Sequence, residues 1–160
     1  MDFYELGRYK EKIIERFSQD EDIINLIMST SGDLNESKIQ SFKAAYCYLL
    51  PFLPQLTREG QNLLCIDSGI TKAEGEARKE VGIDIYVVFH KDHFLFTPSD
   101  QIFYQNKGYC GTTFDAVIQA IGKILNNRRG FGIGKLKPAR ENPVKSFFPE
   151  GDYYGKILSY

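Results

Sequence analysis

The sequence predicts an α+β protein, with an antiparallel sheet flanked by N-terminal helices and one late amphipathic helix. Three observations carry this. Val81, Ile83, Ile85, Val87 and Phe89 alternate with Gly82, Asp84, Tyr86, Val88 and His90, the period-two pattern of a half-buried strand. Phe114, Val117, Ile118, Ile121, Ile124 and Leu125 recur at helical spacing behind Thr112-Thr-Phe-Asp115, which predicts an amphipathic helix. No crossover helix separates the strands expected at 62–68 and 81–89, so they are expected to pair antiparallel.

The elements follow in order. Leu6, Tyr9, Ile13 and Phe17 recur at steps of three and four and predict helix over 3–28. The pattern resets at Ser18-Gln-Asp-Glu21, which has the form of a capping box, and Ile23, Ile24, Ile27 and Met28 predict a second short helix. Residues 29–41 are polar and small, hence a loop. The apolar run 44–53 ends in prolines and fits an edge strand or extended segment. The segment 62–68 is a strand, and 69–79 a turn or exposed loop. Residues 91–110 form an irregular aromatic insert, where Pro98 forbids a central strand. Asn126, Asn127 and Gly130 end the late helix. Residues 130–148 form a Gly-rich basic arm, and Tyr153–Tyr160 closes as a strand.

The chain has 160 residues, a net charge of −1 and 42% apolar residues. That suffices for one domain, 1–160, with a real core and little tendency to disorder. The near-zero charge argues against a free-standing nucleic-acid binder of the strongly basic kind. Cys47, Cys65 and Cys110 are odd in number and widely spaced, which points to a reducing compartment. Cys47 and Cys65 read as small buried apolar residues in strands. No signal peptide is visible, and the longest apolar run is too short to cross a bilayer.

Catalytic signals are weak. His90, His93 and Cys110 are zinc-type residues without a fourth ligand. Gly130–Lys135 lacks the hydroxyl residue of a phosphate loop and follows a helix instead of opening one. Its glycines read better as positions of positive φ in a loop. Glu36-Ser-Lys38 has the E-x-K form of metal nucleases but sits in an expected loop. Asp67, Glu80 and Asp84 lie near strands, and Asp67 could meet Asp84 across them. Solvent-face charges are the plainer account. No cofactor, metal or catalytic triad is expected.

Charge placement is more informative. Residues 1–36 carry nine acidic and four basic side chains, whereas 126–147 carry six basic and one acidic. Opposite patches favour head-to-tail association, which closes into a ring when the rotation permits. Arg128, Arg129, Lys135, Lys137 and Arg140 are therefore candidate contacts for assembly or for passing DNA. Phe94, Phe96, Phe103 and Tyr104 join them, because seven of the 22 aromatic residues fall in 86–109 and interfaces favour aromatics.

Several phrases then resemble the tail-terminator or tail-completion proteins of the tailed-bacteriophage neck. They are Asp22-Ile-Ile-Asn-Leu-Ile27-Met28, Tyr48-Leu-Leu-Pro51-Phe-Leu-Pro54, Thr57-Arg-Glu-Gly-Gln and Leu63-Leu-Cys-Ile66-Asp67. The strand 81–89, the helix 113–126, Gly132-Ile-Gly-Lys-Leu136 and Tyr153-Tyr-Gly-Lys-Ile-Leu158 complete the order. The resemblance implies a non-enzymatic virion protein, assembled in the host cytoplasm into a homo-oligomeric ring, with a hexamer expected. Such a ring caps the tail tube and joins tail to head around the DNA channel. Its partners would be the tail tube and head-completion or other neck proteins, with non-specific contact to DNA and no membrane. The insert 91–110 is longer than a plain hairpin, which keeps a head-completion or adaptor role open. A small metal-dependent nuclease is the alternative from a different class.

Overall fold

The computed structural model describes residues 3–49, 60–74, 78–149 and 151–160. Among these residues, five α-helices and a five-stranded sheet give the α+β fold that the patterning predicts. The helices are α1 (Phe3–Phe17), α2 (Glu21–Met28), α3 (Glu36–Ser41), α4 (Pro98–Asn106) and α5 (Thr113–Leu125). The strands are β1 (Cys47–Tyr48), β2 (Leu63–Glu74), β3 (Arg78–His90), β4 (Val144–Phe147) and β5 (Tyr153–Ser159). Their spatial order is β1-β2-β3-β5-β4. The sheet is mixed: β1 pairs parallel to β2, and every other pair is antiparallel.

Alternation along β3 sorts the residues by face. Ile83, Ile85, Val87 and Phe89 join Leu64 and Ile66 of β2 in the main core, under Ile13 and Phe17 of α1, Ile23, Ile24 and Ile27 of α2, and Val117 and Ile121 of α5. Leu63, Cys65 and Val88 form a smaller cluster with the partly buried Tyr86, Phe147 and Tyr153. Cys47 and Cys65 are buried in strands as expected, and burial raises the Cys47 thiol pKa far above its ordinary value.

Several boundaries differ from the sequence reading. The second short helix expected within 3–28 is present as α2, but it is not capped by Ser18. The cap of the second is Asp20, whose carboxylate accepts from the Ile23 amide at 2.9 Å, while Ser18 bonds back to the Glu15 carbonyl. The expected loop 29–41 contains α3, whose six residues bury none of their side chains and so show no apolar period. Glu36 and Lys38 thus lie on a helix. The expected edge strand at 44–53 is a π turn over Phe42–Tyr46 followed by the two-residue β1; its residues 50–53 lie outside the described residues.

The expected turn at 69–79 is largely strand. Beyond Ser68 and Ile83, β2 and β3 continue as a ribbon that pairs Lys72 with Glu80. Opposite charges facing across strands stabilise such pairs. Of its described apolar side chains only Val81 packs against the core, so the ribbon beyond it gives no apolar alternation to read. Thr71 is the extra residue of a bulge between Ile70 and Lys72. Gly82 leaves room for it, since a Cβ there would stand 2.5 Å from the Thr71 methyl.

Gly155 has a similar reason. It pairs with Phe147, whose ring lies where a Cβ at 155 would be, 2.2 Å from the nearest ring carbon. Gly155→Val is therefore expected to displace Phe147 from Tyr86, their rings 5.9 Å apart. The expected loss is about 1–3 kcal/mol in a denaturant titration. An unchanged midpoint would show that Phe147 moves aside freely.

Candidate functional site

A groove of about 750 Å³ opens at the end of the sheet where His90 of β3 pairs with Tyr153 of β5. One wall is the end of α2 and the loop after it. Ser29 caps α2 in the left-handed conformation, φ 54°. Asn25 shapes the loop: its amide donates to the Gly32 carbonyl at 3.0 Å and its carbonyl accepts from the Thr30 hydroxyl at 3.0 Å. The opposite wall is α4. Thr97 caps this helix, its hydroxyl accepting from the Asp100 amide, with Pro98 at the first helical position.

His93 joins the walls. Its Nε2 lies 3.1 Å from the Gly60 carbonyl and its Nδ1 3.1 Å from the Ser29 hydroxyl. A carbonyl only accepts, so Nε2 carries a proton and donates to it. The buried Asn62 braces this end from beneath, donating to the Ile27 carbonyl and accepting from the His90 amide, each at 3.0 Å.

Four carboxylates line the groove: Glu21, Asp33, Asp92 and Asp100. Among the described residues none is ion-paired with lysine or arginine. Apolar side chains rim it, with Leu95 75% and Phe103 49% exposed; Ile102, 61% exposed, stands beside them on α4. The groove is thus acidic and apolar together.

The basic arm lies elsewhere. Phe131 and Leu136, each 4% exposed, anchor it to the core. Gly130 and Gly132 take φ of 107° and 86°, as expected of glycines in a turning loop. The Ala139 amide donates to the Ser159 carbonyl and the Ser159 amide to the Pro143 carbonyl. Lys137 and Arg140 therefore sit by the Ser159 end of β5, and the groove sits by its Tyr153 end. Six residue steps, about 20 Å, separate the two ends. Arg128, Arg129, Lys135, Lys137, Arg140 and Lys145 are all exposed, and none is ion-paired among the described residues.

The insert 91–110 is only partly irregular, since a short 3-10 turn and α4 occupy much of it. Tyr104 is a core residue, 6% exposed, and not a surface candidate. Phe96 stacks on it at 5.1 Å, and Phe94 packs half-buried against Tyr154. Only Phe103 of the four aromatics stands well out. Leu95 and Ile102 were missed, because isolated apolar residues in an irregular stretch give no period to read.

The enzymatic candidates separate. Asp67 and Asp84 do face each other across β2 and β3. Asp67 is ion-paired with Lys10 at 3.2 Å, and Asp84 accepts from the Ser159 hydroxyl at 2.6 Å. Glu80 stands four positions further along β3, out on the ribbon. Cys110 contacts Gln119 instead of either histidine. No group of three or more His, Cys, Asp or Glu suited to a metal ion occurs among the described residues. No helix among them is long and apolar enough to cross a membrane.

No curated protein and no solved structure matches the chain. The family model of YomW matches residues 20–160, from the N-cap of α2 onward. That match spans most of the chain and accords with its resemblance to phage proteins: the chain belongs to the YomW family, a phage-derived family.

Proposed function

We propose that the chain is a non-enzymatic structural protein of the phage neck, of the tail-terminator or tail-completion type. It forms a homo-oligomeric ring, hexameric on the resemblance, that caps the tail tube and joins tail to head around the DNA channel. It is assembled in the host cytoplasm and carried in the virion. One observation supports ring assembly above the others: an acidic, apolar-rimmed groove, whose carboxylates have no lysine or arginine partner among the described residues, and a basic arm with no acidic partner among them lie at opposite ends of one sheet. A surface that meets a different surface of the next copy is heterologous, and repeated rotation closes such contacts into rings. Charge complementarity sets register and partner choice at such contacts. The exposed Leu95 and Phe103 supply the apolar area that charge alone lacks.

The test is a charge swap read by mass in solution and by electron microscopy, with and without tail tubes. Lys137→Glu/Arg140→Glu is expected to abolish rings, and so is Asp92→Lys/Asp100→Lys. Mixing the two variants is expected to restore contacts between unlike copies. A wild-type protein that stays monomeric and joins no tail tube overturns the reading. Binding only to a head-side neck protein would favour the head-completion role. Incubated with DNA and magnesium, the protein is expected to leave the DNA intact. Cleavage lost in Asp84→Ala would establish the nuclease, since Asp67 and Asp84 face each other.

A further inference from the structure

The outer stripe of α1 is basic, although the N-terminal segment as a whole is acidic. Arg8, Lys12 and Arg16 follow one another at steps of four, which places them on one side of the helix. Successive members rise by about 6 Å. All three are exposed. None is ion-paired among the described residues, and the Arg8 guanidinium lies over the Tyr4 ring at 5.9 Å. Like charges at this spacing repel one another, and a bound anion would lessen that repulsion.

The basic arm extends this row. Arg129, Gly130 and Phe131 close a concavity of about 250 Å³ with Lys12 and Arg16. Gly132 makes the approach possible: a Cβ there would stand 2.9 Å from the Lys12 ammonium and 3.3 Å from the Tyr9 ring. Three carboxylates, Glu5, Glu11 and Glu15, lie three positions from a member of the row, against the four cations Arg8, Lys12, Arg16 and Arg129. Glu15 is ion-paired with Lys43 at 2.6 Å, and Glu5 accepts from the Tyr9 hydroxyl at 3.4 Å. The row therefore keeps a positive excess.

We propose that Arg8, Lys12, Arg16 and Arg129 form a binding row for the phosphodiester backbone of duplex DNA. A line of separate cations suits a polyanion better than a single carboxylate or a free phosphate. Among the described residues the row exposes no large apolar side chain beyond Tyr4, and an acidic protein partner would need more apolar area than that. Contacts of this kind neutralise phosphates without reading sequence. The inference rests on the neck reading only for the source of the DNA, which a ring around the channel would bring to its copies.

The experiment is fluorescence anisotropy of a labelled duplex of arbitrary sequence, with the full chain, over a salt series. Wild type is expected to bind at low salt and weaken steeply as salt rises. Lys12→Gln/Arg16→Gln/Arg129→Gln is expected to lose at least about tenfold in affinity, with a log–log salt slope shallower by roughly 0.9 per contact removed. Lys91→Gln, a distant exposed cation, is expected to bind as wild type. The substituted side chains are exposed, and a thermal melt checks that the fold is kept. Absent wild-type binding, or equal affinity in the triple variant, overturns the proposal. Displacement of DNA by millimolar inorganic phosphate would mark a free-anion site and also overturn it, as would competition by polyglutamate equal to that by DNA. Oligomeric mass measured on the same samples separates the two readings. A protein monomeric throughout that binds DNA through this row keeps this proposal while the ring reading fails.

Discussion

Replacing Asn62 with leucine is expected to lower the unfolding free energy by about 2–4 kcal/mol. Asn62 is 2% exposed, and its side chain satisfies two backbone groups from different elements. Its amide donates to the Ile27 carbonyl at the end of α2, and its carbonyl accepts from the His90 amide at the end of β3. Leucine has a similar size but no polar atoms, so both backbone groups would be left buried without a partner. Each such group costs about 1–3 kcal/mol. The Asn62 amide also reaches the Ser29 hydroxyl, which holds His93. The loss is therefore expected at the groove as well, as faster amide exchange at 29–33 and 91–93. A denaturant titration checks the first effect and hydrogen exchange the second. A leucine variant as stable as wild type would show that water replaces the amide at both groups.

The second large effect is expected in alkali. Burial raises the Tyr104 phenol well above its ordinary value of 10.0, with Asp22, Asp100 and Glu21 adding to it. Burial also raises Tyr109, whose hydroxyl donates to Asp22 at 2.8 Å. Tyr160 is pushed up to about 12 by burial. The fold thus favours the neutral phenol in all three. A group whose folded pKa is raised contributes stability that is complete below its unfolded value and lost as pH rises through the folded one. The melting temperature is therefore expected to hold up to about pH 10 and to fall between about 10 and 12. Tyr109→Phe is expected to be less stable near neutrality by about 1 kcal/mol, through the lost hydrogen bond. It is also expected to fall less steeply above pH 10, because one ionising group is gone. Melts across this range, followed together with tyrosinate absorbance, provide the check. Parallel curves for the two proteins would remove Tyr109 from the account.

The parts of the fold legible from sequence are those with a buried side. β3 alternates because one face meets the helices, and α5 shows its period because Phe114, Val117 and Ile121 all point into the core. Its Thr112–Asp115 capping box was equally visible. The ribbon beyond Ser68 and α3 were not legible, since among their described side chains only Val81 and Ile39 pack against the core and a single contact leaves no period. α4 carried readable start signals in Thr97, Pro98 and Asp100. The segment was nonetheless read as irregular, because its aromatic residues, of which Tyr104 and Tyr109 are core, follow no helical period.

By itself, then, the sequence determined the α+β class, the late helix, the central strand, the buried cysteines and the uneven spread of charge. These depend on neighbours a few residues apart, where period and capping leave a local record. Only the tertiary structure decided that the acidic groove and the basic arm occupy opposite ends of one sheet. It also decided that Tyr104 is core while Leu95 and Phe103 are surface, and that Arg129 lies beside Lys12 and Arg16. Those facts join residues up to more than a hundred positions apart, and chain-distant contacts are set by packing, which no local pattern encodes.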